Sequence, residues 1–400
     1  MRTTDLVRWL ATAVSAQPCG AALEDEIRRR FGSRHVLLTS TGRAGMTLLF
    51  RAMRRLAGPE RSEIIVPSYT CYSVAASAVK AGLRPRIIDI VPATLDFDYT
   101  ALEREDFSRV LAVVATNLYG FPSDLPLLTA IAHRHGTFVV DDAAQAMGAT
   151  LDGRWVGTAG DAGLFSFDKG KNVSAVDGGA IVTNSDALAS ALRSEIAAVE
   201  RPSVRNSAVH VVKALGYFGF LRPWLYGIPA RIPQLGLGRT IFTTDYPLVQ
   251  PDQVLVALAL TMMRRLDQFT ETRRRNASAL LDSLRGARLT TIAPRSGAAS
   301  VYLRLPVLVA GPREQATTIQ ALTEAGIGAT GSYPRSLADI PELRDALANP
   351  HPSAAGGRDV ARRIVTLPTH PFVTGDDIRR MQSILVGEAS SVSPVSAPAS

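Results

Sequence analysis

The chain has 400 residues, 46% hydrophobic and 20% charged, a globular balance with room for a large core and two lobes. Its two cysteines, Cys19 and Cys71, exclude a disulfide framework and a cysteine-built metal site; with no secretory signal ahead of them, they point to the cytoplasm. A net charge of +8 suggests anionic partners, but no nucleic-acid motif, internal repeat or bilayer-length apolar run accompanies it.

In chain order, residues 1–34 read as two helices, the second (21–31) rich in Glu and Arg. An apolar strand at 35–39 runs into Ser40-Thr41-Gly42-Arg43-Ala44-Gly45 and then a helix over 46–56. A strand, a small-residue turn and a helix start together make an anion site, because free backbone N–H groups and the helix dipole both favour phosphate. Arg43 adds a phosphate partner, although such turns are also rich in Gly and Thr for steric reasons alone. Strands follow at 63–66, 85–90, 111–115 and 137–140, with helices at 74–81 and 124–133 between them. This alternation predicts an α/β domain with a mostly parallel sheet, whose ligands bind at the carboxyl ends of its strands.

The strand at 137–140 runs directly into Asp141-Asp142. A charge at the edge of a buried sheet is costly unless it is paired. Two readings stand: a helix N-cap at Asp142, or a carboxylate that pairs with a cationic ligand atom. Residues 161–184 then form a strand (163–167), a polar turn holding Lys169 and Lys171, and a return through Asp177-Gly178-Gly179 into a strand at 180–183. A lysine held beside buried strands is disfavoured as the cation and becomes a better nucleophile, as a Schiff-base lysine requires. The other reading makes both lysines solvated loop cations.

Residues 201–244 break the alternation with six basic residues (Arg201, Arg205, Lys213, Arg222, Arg231 and Arg239), no acid, and an aromatic cluster that includes Tyr217, Trp224 and Tyr226. Such an insertion suits a membrane surface, a lipid-linked substrate or an arm on another subunit. Residues 248–284 read as mainly helical, with Arg273-Arg274-Arg275 as a solvated face. A strand at 300–305, a helix at 313–325, a strand at 364–367 and a helix at 375–385 make a smaller α/β lobe. The boundaries expected are therefore 1–247 for the large domain, 248–386 for the small one and 387–400 for a disordered tail.

Several short motifs in one order carry a resemblance. They are Val66-Pro67-Ser68-Tyr69-Thr70, Leu118-Tyr119-Gly120, Val140-Asp141-Asp142-Ala143-Ala144-Gln145-Ala146, Gly160-Asp161, Phe165-Ser166-Phe167, Gly170-Lys171-Asn172, Asp177-Gly178-Gly179 and Leu367-Pro368-Thr369-His370-Pro371. From about residue 20 to 386 the chain resembles the DegT/StrS sugar aminotransferases, fold-type I pyridoxal-phosphate (PLP) enzymes. The resemblance implies a large cofactor domain with a mostly parallel sheet and a homodimer with sites at the subunit interface. It also implies glutamate or glutamine as amino donor and a nucleotide- or lipid-linked keto sugar as acceptor, in polysaccharide, glycolipid or secondary-metabolite synthesis. By the same resemblance Lys171, five residues after the phosphate-binding Ser166, is the catalytic lysine, and Asp142 pairs with the pyridine nitrogen while Asp141 is structural. Gln145 lies near the phenolic oxygen, and Gly42, Arg43 and Ala44 form the phosphate turn.

The chain departs from the family pattern at four places. Arg43 replaces a small hydroxyl residue, Cys71 an aromatic ring that stacks on the cofactor, and Asn117 a frequent histidine. Asp245-Tyr246 stands where a partner-subunit asparagine reaches the phosphate. Tyr72 adjoins the stacking position but points elsewhere. These departures keep a PLP-binding regulator without turnover, and a sugar eliminase, as alternatives. Lys171 itself argues against the dehydratase branch that carries histidine there.

Overall fold

The computed structural model describes residues 3–14, 19–220 and 241–387. Part of the basic insertion, including Arg222, Trp224, Tyr226, Arg231 and Arg239, and the tail at 388–400 lie outside the described residues. The larger lobe is built on β1 (His35–Thr39), β2 (Glu63–Pro67), β3 (Arg84–Ile88), β4 (Val110–Thr116), β5 (Phe138–Asp142), β6 (Ala162–Ser166) and β7 (Gly179–Thr183). The order across the sheet is β1-β7-β6-β5-β4-β2-β3, and only β7 runs antiparallel to its neighbours.

β2, β4, β6 and β7 are buried at every position, which explains why they are apolar in all but an end residue: helices cover both faces of the sheet. One face is covered by the helices Gly42–Ala57, Tyr72–Lys80 and Asp186–Ala197, with Leu49, Phe50, Met53 and Leu192 fully buried. Each such side chain contributes roughly 1.5–3 kcal/mol on burial. On the opposite side Cys19–Phe31 and Gln253–Met263 pack together with Trp9, Leu23, Ile27 and Leu258.

The smaller lobe holds a three-stranded antiparallel sheet of Thr290–Thr291, Arg304–Leu308 and Ile364–Pro368, backed by Leu266–Ser283, Pro312–Glu324 and Gly375–Gly387. Two expectations are corrected here. The strand expected at 300–305 begins only at Arg304, because Tyr302 adopts φ 48° and the stretch before it pairs elsewhere. Val301 N donates to Gly120 O at 3.1 Å and Leu303 N to Tyr119 O at 2.8 Å, so these residues tie the small lobe to a large-lobe loop. The run Arg273-Arg274-Arg275 is not a solvated face. Arg273 is 6% exposed and donates to Leu303 O at 2.7 Å, while Arg274 donates to Ser300 O and Ala299 O, each at 2.9 Å. Only Arg275 is exposed.

Candidate active site

The parallel strands deliver their loops to one edge of the sheet, and the residues singled out from the sequence meet there. The helix Gly42–Ala57 begins directly after β1. The Thr41 side chain accepts from Ala44 N at 2.8 Å and its carbonyl accepts from Gly45 N at 2.9 Å. The amides of Gly42 and Arg43 are left at the helix mouth, where the dipole favours an anion. Gly42 lies against the end of β6: a Cβ there would stand 3.2 Å from Ser166 Oγ and 3.1 Å from Ser166 Cβ. Gly179 lies equally close, since its Cβ would come within 3.0 Å of Gly42 N and 2.8 Å of Thr39 Oγ1. Turn and serine hydroxyl therefore form one cradle, which larger residues at positions 42 or 179 would fill.

At the end of β5 the two acids have different partners. Asp141 is fully buried and accepts from Asn117 Nδ2 at 2.9 Å, Gly157 N at 2.6 Å and Ala159 N at 3.2 Å. Asp142 accepts from Ala144 N at 3.0 Å, and among the described residues its other oxygen receives no hydrogen bond. No helix follows Asp142, so the N-cap reading gives way to a turn whose amide it accepts. Burial pushes both carboxyls up to about 6; at Asp142 the Ala144 amide and the charge of Lys171 pull the other way.

The loop that carries Lys171 is pinned on both sides. Lys171 N donates to Asp168 O at 3.1 Å, Asn172 Nδ2 to Met147 O at 2.7 Å and Ala175 N to Phe167 O at 2.7 Å. Lys171 is half-buried and near enough to Asp142 for their charges to interact, whereas Lys169 is exposed. Gln145 is also fixed, its Oε1 accepting from Tyr119 N at 2.9 Å and its Nε2 donating to Tyr333 Oη at 2.8 Å.

Tyr333 is the residue the sequence reading missed. It comes from the small lobe, is 7% exposed, and its hydroxyl meets Gln145 and Cys71. Burial holds its phenol far above the ordinary range. Its backbone N donates to Tyr69 Oη, and Tyr69 Oη and Tyr119 Oη lie 3.3 Å apart. In the sequence Tyr333 is an aromatic before a proline, Tyr333-Pro334, a local pattern that names no partner. Tyr72 is turned away from this cluster's polar end: its hydroxyl accepts from Arg335 N at 2.9 Å and donates to Arg335 O at 3.2 Å. Cys71 stands at the start of Tyr72–Lys80 without a side-chain capping bond, and its Sγ accepts from Ser73 Oγ, in the first turn of that helix, at 3.0 Å.

The other departures also have positions. Asn117, 1% exposed, spends its amide on Asp141, on Asp142 O at 2.9 Å and on Ser123 N at 2.9 Å, so it holds the β4 and β5 loops together. Tyr246 folds onto its own chain: its hydroxyl meets Thr47 Oγ1 at 2.7 Å, and the Arg43 guanidinium and Lys80 ammonium each lie 4.7 Å from its ring centre. Asp245 beside it is exposed.

A mainly parallel sheet covered by helices, with Gly42, Ser166, Asp142 and Lys171 at its carboxyl edge, is the fold of a DegT/DnrJ/EryC1/StrS aminotransferase from Brucella abortus, which superposes with a TM-score of 0.76 at 22% identity over 97% of this chain and 96% of that one. The chain belongs to the DegT/DnrJ/EryC1/StrS aminotransferase family, whose model matches residues 8–222 and 247–386. A UDP-N-acetyl-3-dehydro-alpha-D-glucosamine 3-aminotransferase of Acidithiobacillus ferrooxidans is 35% identical over 168 residues, 42% of this chain and 45% of that protein. A pleiotropic regulatory protein of Geobacillus stearothermophilus is 40% identical over 132 residues, 33% of this chain and 36% of that protein. These matches thus span less than half of each relative. A Streptococcus pneumoniae protein solved in its PLP form superposes with a TM-score of 0.79 at 17% identity, covering 98% of this chain and 97% of that one. Among the described residues no helix is long and apolar enough to cross a membrane.

Proposed function

We propose that this chain is a PLP-dependent aminotransferase that moves an amino group from glutamate, or glutamine, to a nucleotide-linked keto sugar, as a cytoplasmic homodimer. The observation that carries the reading is the contrast between the two acids. Asp141 is saturated with donors, while Asp142 keeps an oxygen uncommitted within reach of the Lys171 charge. A buried carboxylate left open in this way fits a cationic ring nitrogen.

The residues fit the cofactor. Gly42 N, Arg43 N and Ser166 Oγ would hold its phosphate, Asp142 its pyridine nitrogen and Gln145 its phenolic oxygen, with Ala44 in the same turn and Cys71 on the ring's face. When bound, PLP supplies an electron sink for the negative charge that develops on the reacting carbon. Asp142, once ionised, keeps the proton on the ring nitrogen and so maintains that sink. Lys171 is the amine that would hold the cofactor. Released from it, the Lys171 amine would serve as general base and acid, in one half-reaction relaying the proton from the donor's α-carbon to the cofactor and in the other relaying a proton from the cofactor to the acceptor sugar's carbon. Tyr333 and Tyr119, both buried, keep water from that side of the site.

The nucleotide-linked keto sugar rests on the name of the Acidithiobacillus relative, a UDP-sugar aminotransferase. The Geobacillus relative and the replaced contacts at Cys71, Asn117 and Asp245 favour a second reading, a cofactor-binding regulator without turnover. The visible spectrum of the protein loaded with PLP separates them. The aminotransferase reading expects a Lys171-dependent band that converts to the pyridoxamine band on adding glutamate or glutamine. A stable band indifferent to every amino donor would move the reading to the regulator.

A further inference from the structure

The helix Val204–Phe220 has two different faces. Its inner face is committed: Ser207 Oγ and His210 Nδ1 each meet Asp252 Oδ2 at 2.8 Å, Ala214 is fully buried, and Tyr217 Oη meets Ser174 Oγ at 2.9 Å in the loop that carries Lys171. The opposite face is an apolar stripe at helical spacing: Val204, Ala208, Val212 and Leu215 are all exposed, Val204 by 89% and Val212 by 70%. Val209 adjoins it, 43% exposed, and Arg205 and Lys213 lie on the same flank, with Arg201 just ahead of the helix.

We infer that this face docks on an anionic phospholipid surface. Charge selects the occupant. From residue 201 to 244 the chain has six basic residues and no acid, so the cations beside the stripe find no counter-charge within their own segment. An apolar stripe flanked by cations matches the boundary between acyl chains and anionic headgroups. A second copy of the chain suits it less well. Pairing the helix with itself about a two-fold axis would set Arg205 and Lys213 against the same residues of the copy. Because Tyr217 joins the inner face to the Lys171 loop, docking would hold the candidate site close to the lipid surface.

Flotation of the full-length protein with vesicles of phosphatidylcholine alone, or mixed with phosphatidylglycerol, tests this directly. The inference expects binding only to the mixed vesicles, weakening steeply with added salt. Val212→Asp with Leu215→Ser, and separately Arg205→Glu with Lys213→Glu, should each lower binding about tenfold or more. The thermal midpoint should be unchanged, because these side chains are exposed. Absence of binding, or equal binding to both vesicle types, overturns the inference. So does a stripe variant that changes the oligomeric state by light scattering and leaves vesicle binding intact, which would assign the face to a subunit contact.

Discussion

Asp142 holds a conflict between stability and binding. Burial raises its carboxyl to about 6 in the folded chain, above its ordinary 3.8. The folded state therefore binds more protons than the unfolded one between these values, and stability is lost as pH rises from about 4 to about 6. Asp142→Asn removes that loss. The cofactor-free variant should be more stable than the parent at pH 8 by up to about 3 kcal/mol and nearly equal at pH 4, read from urea melts at each pH. The same change should weaken PLP binding about tenfold or more, because the ring nitrogen loses its ionic partner. The Asp141 carboxyl is raised to about 6 by burial as well, but it differs from Asp142 in its three donors. Asp141→Ala strands Asn117 Nδ2, Gly157 N and Ala159 N and should cost about 3–5 kcal/mol in the same melts.

Tyr333 makes the comparable case across the lobes. Tyr333→Phe leaves Gln145 Nε2 without its acceptor. It should cost about 1–2 kcal/mol of stability, and it should shift the absorbance of the bound cofactor if the Gln145 amide then turns toward it. An unchanged spectrum would place Tyr333 among packing residues only.

At the scale of elements, the two lobes are joined by backbone as much as by side chains. Asp89, just after β3, accepts from Ser68 Oγ at 2.8 Å, from Ile90 N at 2.9 Å, and from Gly356 N at 2.9 Å and Gly357 N at 3.0 Å on the helix Ala355–Arg363. Ser68 O in turn accepts from Leu337 N and Ser336 Oγ, each at 2.8 Å. This close approach needs glycine: a Cβ on Gly356 would overlap Ile90 O, and one on Gly357 would overlap Ser68 Oγ. Gly357→Ala should therefore lower the melting midpoint even though helix propensity alone favours alanine. Burial pushes the Asp89 carboxyl up, but its four donors outweigh that and hold it below the ordinary range. Its contribution is present above the unfolded value near 4 and is lost as pH falls through the lower folded value. Asp89→Asn should be less stable than the parent at neutral pH, and the difference should shrink on titration from about pH 5 to about pH 3.

For the molecule as a whole, the sequence was most informative where burial is two-sided. β2, β4, β6 and β7 are apolar except at an end residue (Glu63, Thr116, Ser166 and Thr183), and their ends and the loops beyond carry the polar residues of the candidate site. From the residues alone, Lys171 could be a solvated loop cation and Asp142 a helix N-cap; it was the family resemblance that singled them out from Lys169 and Asp141. What was not legible depends on contacts between distant segments. Arg273 looks like one of three surface cations, yet it is buried because carbonyls of the 300–303 segment receive it. Tyr333 lies 188 residues from Gln145, and no local pattern links them. The start of the small-lobe strand at Arg304 was missed for a similar reason, since the preceding residues bond across to Gly120 and Tyr119. Tyr246 was read through its neighbour Asp245, although the ring, between Arg43 and Lys80, is the part that packs.

The central claim is that Lys171, and not the neighbouring Lys169, is the amine that holds the cofactor opposite Asp142. Borohydride reduction of the PLP-loaded protein, followed by proteolysis and mass spectrometry, locates the bound cofactor on a single residue. The account predicts the added mass on Lys171, with none on Lys169 and none anywhere in Lys171→Ala. Label on Lys169 or Lys80, or label that persists in Lys171→Ala, would contradict it.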